Sequence, residues 1–285
     1  MKNKLINKNI LVIGDSIIDK DIYVSDLGKS LETDNAKFKF INQTFELGGA
    51  SRLVNFISTF DVNIVFFSNL EEQYFKEFSN LFSKLEIYKT NTTSSVEKIR
   101  IKLKNDNIFE TVFQINKDYK SKHNSYSEIL NILNKTFDAV LIDDYRTGMF
   151  DKQLIDIVNN LSYEKILFAS QLSRNNLNIR NYTNFNILIL NKYEFESEFN
   201  TKLDFDYNYA DIFSNDIKKI IVTLGNDGAL LITKKKNTYF PTKSKEFVNT
   251  IGAGDIFLAS YLMFEDVNLA NEHTLNYLEE LNNGL

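Results

Sequence analysis

The residues best placed to do chemistry are Asn249-Thr250-Ile251-Gly252-Ala253-Gly254-Asp255, which lie between a β-like run and an unbroken apolar run, Ile256 to Phe264. Two glycines let the backbone come close to a ligand, and a helix starting here aims free N–H groups and the positive end of its dipole back at the loop. That combination binds anions, phosphate above all. Asp255 would repel a phosphate rather than hold it, but it can take the proton from a hydroxyl that attacks one. The chemistry implied is phosphoryl transfer to an alcohol. A Gly-x-Gly-Asp turn alone is more often an ordinary strand-to-helix junction with a first-turn charge, so other residues must decide.

Three further groups offer chemistry. Asp15 and Asp19 stand four apart in Ile13-Gly14-Asp15-Ser16-Ile17-Ile18-Asp19, where the first strand ends. Ligands of open α/β sheets sit at the carboxyl ends of strands, so Asp15 is a candidate for sugar hydroxyls, against the plainer reading of an exposed turn. Gly48 and Gly49 form a double-glycine turn that opens an amphipathic helix carrying Arg52 and Asn55. Lys98 and Arg100 alternate to one face of a strand, which suits gripping an anion and equally suits a solvated edge that uses charge against aggregation.

Positioning these groups falls to short β-branched or apolar runs alternating with helical patterns, the signature of parallel βαβ units in a three-layer α/β fold with a mainly parallel sheet. The expected central strands are Ile10–Ile13, Asn63–Phe67, Ala139–Ile142, Ile166–Ala169, Ile187–Leu190 and Ile220–Thr223. Lys37–Ile41 and Val96–Leu103 instead read as period-two strands with a charged face, too polar for a central parallel sheet, and predict a small antiparallel lid. With no low-complexity linker and no internal repeat, residues 1–285 are expected to form one domain, with lid segments near 20–46 and 92–116. Exposed edges on such a lid tend to pair, which predicts a homodimer.

Composition narrows the function. A net charge of −5 offers no electrostatic grip on nucleic acid or an anionic membrane. There is no Cys, and only His123 and His273, so neither a disulfide framework nor a zinc cluster is expected. No signal-peptide core or long apolar run occurs, and a cytoplasmic protein is expected. Gly28-Lys29-Ser30 looks like a P-loop ending, but Tyr23 holds the required earlier glycine position. The dinucleotide fingerprint is also missing after the first strand, where only Gly14 occurs.

The stretch Asn249–Asp255 closely resembles the Asp-Thr-x-Gly-Ala-Gly-Asp signature of the ribokinase-like carbohydrate kinases, the phosphofructokinase-B family. The resemblance implies the ribokinase-like fold, with Asp255 as catalytic base and Gly252, Ala253 and Gly254 as an anion hole for the transferred phosphoryl group. Asn249 replaces the usual first Asp, near which some relatives bind a monovalent cation. Asn191 and Glu194 match an Asn-x-x-Glu element in which the Glu organises Mg²⁺ through water, and Val222 to Gly228, with Thr223, Gly225 and Gly228, is similar to a loop that contacts ATP phosphates. Gly48, Gly49 and Asn55 are similar to a sugar-facing element in which Arg52 replaces an Asn.

The nearest subgroup is the heptose-phosphate kinases of lipopolysaccharide assembly, to which Gly14–Asp19, Ser30–Thr33, Lys98–Arg100, Asp144–Gly148 and Asn191–Glu196 are similar. This places Asp144 with the sugar contacts. Thr147 stands where that loop usually has Lys, and Ala169–Ser173 replaces an Asp-Pro-Lys element. The expected activity is ATP- and Mg²⁺-dependent phosphorylation of a sugar or sugar phosphate. The alternative is a catalytically weak sugar- or nucleotide-binding protein retained for assembly with a partner. Asn249, Arg52, Thr147 and the mere 30 residues after Asp255 motivate it, since relatives usually continue further and close the adenine pocket with that tail.

Overall fold

The structure, a computed structural model, describes residues 7–77, 85–90, 95–106, 108–117, 126–164, 166–170, 179–183, 185–213, 216–243, 247 and 249–283. Residues 92–94, 107 and 171–173, all part of segments singled out above, and His123 lie outside the described residues.

Seven strands form a parallel array: β1 (Asn9–Gly14), β4 (Asn63–Ser68), β5 (Glu86–Lys89), β8 (Ala139–Asp144), β9 (Ile166–Ser170), β10 (Ile187–Asn191) and β11 (Lys219–Thr223). Two more, β12 (Ala229–Ile232) and β13 (Asn237–Phe240), continue the sheet antiparallel, giving the order β13-β12-β11-β10-β9-β8-β1-β4-β5. All six expected central strands are present. Their runs are apolar at every position because both faces are covered. Ile10, Val12, Leu141 and Ile189 pack with Leu53, Val54 and Leu262 on one side. Leu11, Ile13, Val140 and Leu188 pack with Ile129, Leu154 and Phe195 on the other. The first side is built by α1 (Ala50–Ile57), α6 (Ala253–Phe264) and α7 (Val267–Asn283), and the second by α3 (Ser127–Ile132), α4 (Lys152–Asn159) and α5 (Lys192–Glu198). A short α2 (Glu72–Glu77) follows β4.

The parallel register lines up the polar strand ends. Gly14 pairs with Ser68 and Asp143, and Asn191 with Thr223. One edge of an otherwise apolar sheet therefore carries carboxylates, hydroxyls and an amide side by side, and the site is built there.

The smaller sheet holds the remaining strands in the order β3-β2-β6-β7, with β2 (Ser16–Lys29), β3 (Ala36–Gly49), β6 (Val96–Asn105) and β7 (Ile108–Lys117). It is antiparallel at β2–β3 and β6–β7 and parallel at β2–β6. Both segments read from sequence as lid strands belong to it. Its strand β2 leaves the main sheet after the single residue Asp15, so what looks in sequence like the end of the first strand is also the start of the lid. β6 lies between β2 and β7 rather than at an edge, which removes the solvated-edge reading of Lys98 and Arg100.

Candidate active site

α6 is the best-buried helix of the site, with every residue from Asp255 to Met263 buried. A helix apolar all round belongs in a core, and its N-terminus opens at the polar edge of the sheet. Gly252 caps it with φ 84°, a left-handed conformation that Gly adopts without the penalty of a side chain. Ala253 N–H donates to Thr250 O at 3.2 Å, so the turn uses it internally. The N–H groups of Gly254 and Asp255 have no acceptor among the described residues. Of the amides expected from sequence to form an anion hole, Ala253 is used internally, whereas Gly252 and Gly254, with Asp255 beside them, have no acceptor among the described residues.

These groups open into a cleft of about 550 Å³ between the main sheet and the lid. Of the residues singled out in the sequence, Asp19, Gly49, Arg52, Lys98, Arg100, Asn191, Thr223, Gly225, Gly228, Gly252, Ala253, Gly254 and Asp255 line it. Gly49 ends β3 with φ 57°, and a Cβ there would stand 2.5 Å from Asp15 O. The backbone can turn from the lid into α1 only without one, and that turn brings Arg52 to the cleft.

The charged side chains form one network. Arg52 donates from Nη2 to Asp19 Oδ2 at 2.9 Å and stands 3.5 Å from Asp255 Oδ2 through Nη1. Arg100 donates to Asp19 Oδ1 at 2.9 Å and lies 3.7 Å from Asp21. The Tyr145 hydroxyl donates to Asp255 Oδ1. The Lys98 ammonium lies 5.4 Å from the centre of the Tyr145 ring, with no carboxylate within 4 Å among the described residues. Burial raises the Asp255 carboxyl above the ordinary range, while Arg52, Tyr145 and Lys98 pull against that rise. Burial likewise lowers the Lys98 ammonium, against the attraction of Asp19 and Asp255.

Six sequence candidates lie outside the cleft, Glu194 among them in a smaller cavity beside it. Asp15 is fully buried; it accepts from Tyr145 N–H at 2.9 Å and from the Thr147 hydroxyl, and burial next to Asp144 raises its carboxyl to about 7. It holds the Tyr145 loop instead of meeting sugar. Asp144 points to the same interior side, where Arg146 Nη1 at 2.9 Å and the Tyr182 hydroxyl at 2.7 Å both donate to its Oδ2. Asn55 follows Arg52 by one turn of α1 and is not among the cleft residues. Gly48 lies below the surface, where a Cβ would stand 2.5 Å from Asp19 Oδ2; its smallness makes room for that carboxylate. Asn249 accepts from Ile251 N–H at 3.0 Å, and its backbone is bracketed by Asn282 at 2.9 Å on both sides, which ties the loop to α7.

Two residues escaped the sequence reading. Tyr145 stands in the sequence only as one position of the Asp144–Gly148 loop. Asp143 lines a cavity of about 80 Å³ together with Glu194, Gly254 and Asp255, and its buried Oδ2 has no hydrogen-bond partner among the described residues. Burial, and then the charges of Asp255, Asp15, Asp144 and Glu194, push its carboxyl well up. A partnerless carboxylate oxygen facing a second carboxylate is a donor set that suits Mg²⁺, a hard cation that keeps several waters. Asn191 and Glu194 also have a local task. They form a capping box at the start of α5, Asn191 Oδ1 accepting from Glu194 N–H and Glu194 Oε2 from Asn191 N–H, each at 2.8 Å. The far wall of the cleft comes from Asn226, Thr242 and, on α7, Asn271, Thr274, Leu275 and Leu278.

Comparison with known proteins agrees with this geometry. The profile of the pfkB family carbohydrate kinases matches residues 82–269. Relatives include the bifunctional protein HldE of Helicobacter pylori strain J99, 25% identical over 273 residues, and that of Campylobacter curvus, 27% identical over 275 residues. The alignments cover 89% and 88% of this chain but 57% and 55% of those proteins, so the chain spans little more than half their length. Among solved structures, ribokinase from Thermotoga maritima superposes with a TM-score of 0.68 at 17% identity, covering 95% of this chain and 92% of that one. The nucleoside kinase of Methanocaldococcus jannaschii does so with 0.63 at 18%, covering 96% and 93%. These likenesses show a ribokinase-like fold. With the family profile lying across the strand ends and the Gly252–Asp255 turn, the chain belongs to the pfkB family of carbohydrate kinases.

Proposed function

We propose that this carbohydrate kinase transfers the γ-phosphoryl group of ATP to a hydroxyl of a sugar that already carries an anion, a sugar phosphate, with a heptose phosphate the first candidate. The observation that carries the reading is the charge of the cleft. Three cations, Arg52, Lys98 and Arg100, face two carboxylates, Asp19 and Asp255. The two arginines have carboxylate partners, whereas Lys98 has none within 4 Å among the described residues. A half-buried ammonium beside an aromatic ring and lining a cleft is a site for an anion.

The rest of the cleft supports the donor side. Leu275 and Leu278 give an apolar wall for a base, and Gly225, Asn226 and Gly228 lie beside it. Phosphates extending toward α6 meet the free N–H groups of Gly254 and Asp255. Asp143 and Glu194 would hold Mg²⁺ and its waters at the small cavity, where the ion neutralises phosphate charge. Asp255 takes the proton of the acceptor hydroxyl, whose oxygen bonds to the γ-phosphorus as the bond to the bridging oxygen of ADP breaks.

The test is a panel of hexoses and heptoses, each with and without a phosphate, assayed for ADP formation and phosphorylated product. Turnover should favour the phosphorylated forms. Lys98→Ala should raise the KM for the preferred sugar phosphate about tenfold or more, since a charged hydrogen bond contributes roughly 1.5–3 kcal/mol, and should leave the KM for ATP nearly unchanged. Equal efficiency on phosphorylated and unphosphorylated forms of one sugar would overturn the anionic acceptor. No turnover on any member would leave the binding-only reading in its place.

We also propose a homodimer joined through the lid. Ile41 on β3 and Ile108, Phe113 and Ile115 on β7 are 44–60% exposed, and these are the two outer strands of the small sheet. An apolar surface of that kind on an open edge is a pairing surface. Light scattering at micromolar concentration should give twice the mass of 33.1 kDa, and a monomer there would reject the dimer.

A further inference from the structure

We propose that Arg52 is a latch on the catalytic base, which keeps Asp255 from activating water until an anionic acceptor draws the guanidinium away. The inference rests on the kinase reading above and adds a second property to the same site, suppression of ATP hydrolysis.

Both carboxylate oxygens of Asp255 are occupied in the structure. Tyr145 donates to Oδ1, and Arg52 Nη1 stands 3.5 Å from Oδ2. The Arg52 side chain is only 10% exposed and Asp255 6%, so solvent does not intervene freely. Arg52 also covers the phosphate end of the helix: a Cβ on Gly252 would lie 2.5 Å from Arg52 Cδ and 2.7 Å from Nη1. Its contacts are unequal, the loosest reaching Glu46 Oε2 at 3.9 Å from Nη2. The bond to Asp19 is 2.9 Å and the approach to Asp255 is 3.5 Å. Arg52 is thus anchored on Asp19 and leans on the base, and the base end is the one that gives way.

A base beside a bound phosphoryl donor is a hazard when no acceptor is present. Water at Oδ2 would give its proton to Asp255, bond through oxygen to the γ-phosphorus and expel ADP, yielding inorganic phosphate as Asp255 returns the proton to solvent. A guanidinium leaning on Oδ2 denies water that position and weakens the base by favouring its ionised form. An acceptor anion settling at Lys98 offers Arg52 a further anionic partner. As Arg52 turns toward it, Oδ2 is uncovered for the acceptor hydroxyl, so the base is exposed only when there is an alcohol to use it. Arg52 acts through Asp255 and is a positioning residue. Tyr145 keeps its own oxygen throughout and fixes the carboxylate plane.

The experiment measures inorganic phosphate released from ATP and Mg²⁺ with no sugar present. Arg52→Gln should release it about tenfold faster than the wild type, a change within the range of general-base effects. Adding Asp255→Asn to Arg52→Gln should return release to the wild-type level. Arg52→Lys, which keeps the charge, should stay near wild type, and thermal melting should show all variants folded. In the phosphotransfer assay the acid limb of the Arg52→Gln pH profile should move to higher pH, because the cation that lowers the Asp255 pKa is gone. Release from Arg52→Gln no faster than from wild type would overturn the latch, as would a double variant that hydrolyses as fast as Arg52→Gln. The sugar panel can fail while the Asp255-dependent hydrolysis still rises, which would sink the proposed acceptor and the release it provides but leave the restraint of Asp255 by Arg52 standing. Normal transfer with unchanged hydrolysis would do the reverse.

Discussion

Asp255→Asn is expected to lower phosphoryl transfer by about 10²–10⁴-fold while leaving ATP affinity unchanged, the loss typical of removing a positioned general base. The amide fills the same space and still offers an oxygen to the Tyr145 hydroxyl, so the turn at Gly252 keeps its shape. What disappears is a group able to accept a proton at neutral pH. The wild-type carboxyl is raised by burial, so transfer should fall as pH drops through a value above the ordinary aspartate range. The variant should lose that acid limb together with its rate. Steady-state kinetics beside equilibrium nucleotide binding separates the two effects. A variant retaining more than half of wild-type turnover would remove Asp255 from its role.

Gly254→Val should abolish measurable nucleotide binding in a chain that folds at least as well as the wild type. The reason differs from that for Gly252. Gly254 does not have the left-handed conformation, and a Cβ added to it meets nothing within 4 Å, so the protein itself has no objection to a side chain. Within the first turn of a helix, Gly is worse than Val by a few tenths of a kcal/mol, so stability should hold or rise slightly. The open space in front of Gly254 belongs to both the main cleft and the small cavity beside Asp143. Three extra carbons there occupy the path by which a phosphate reaches the free N–H groups. Isothermal titration with ATP and a thermal melt give opposite-signed results if this is right. A folded variant with wild-type affinity would show that phosphate does not approach this turn.

The site was legible in sequence where one short segment does several jobs. Asn249 to Asp255 carries its glycines and its acid directly against the helix they open, and the six central strands announce themselves because both their faces are apolar. Legibility stopped where function depends on which side of a strand a residue faces. Asp143 and Asp144 are neighbours at the end of β8, and a period of two sends them to opposite faces of the sheet. Sequence chose Asp144, which meets Arg146 and Tyr182; the structure turns Asp143 toward Glu194 and Asp255. Asp15 and Asp19 part for a different reason: Asp15 is buried at the joint between β1 and β2, whereas Asp19 lies on β2 and lines the cleft. The contact between Arg52 and Asp255, 203 residues apart, had no local signal at all.

The junction between the two sheets has a mechanical consequence. β1 passes into β2 through Asp15 alone, and β3 passes into α1 with no intervening residue. Both joints are fastened, Ala50 N–H to Asp15 O at 3.0 Å and Ser16 N–H to Asn69 Oδ1 at 2.6 Å. A strand of 14 residues is a lever roughly 46 Å long, so a swing of about 10° at its root carries the tip some ~8 Å but moves Asp19 by less than ~2 Å. Wide travel at the apolar far end is geared down to fine adjustment where the arginines sit. Whatever grips the tip therefore sets the reach of the residues at the pivot, and it does so with a mechanical advantage of about fivefold.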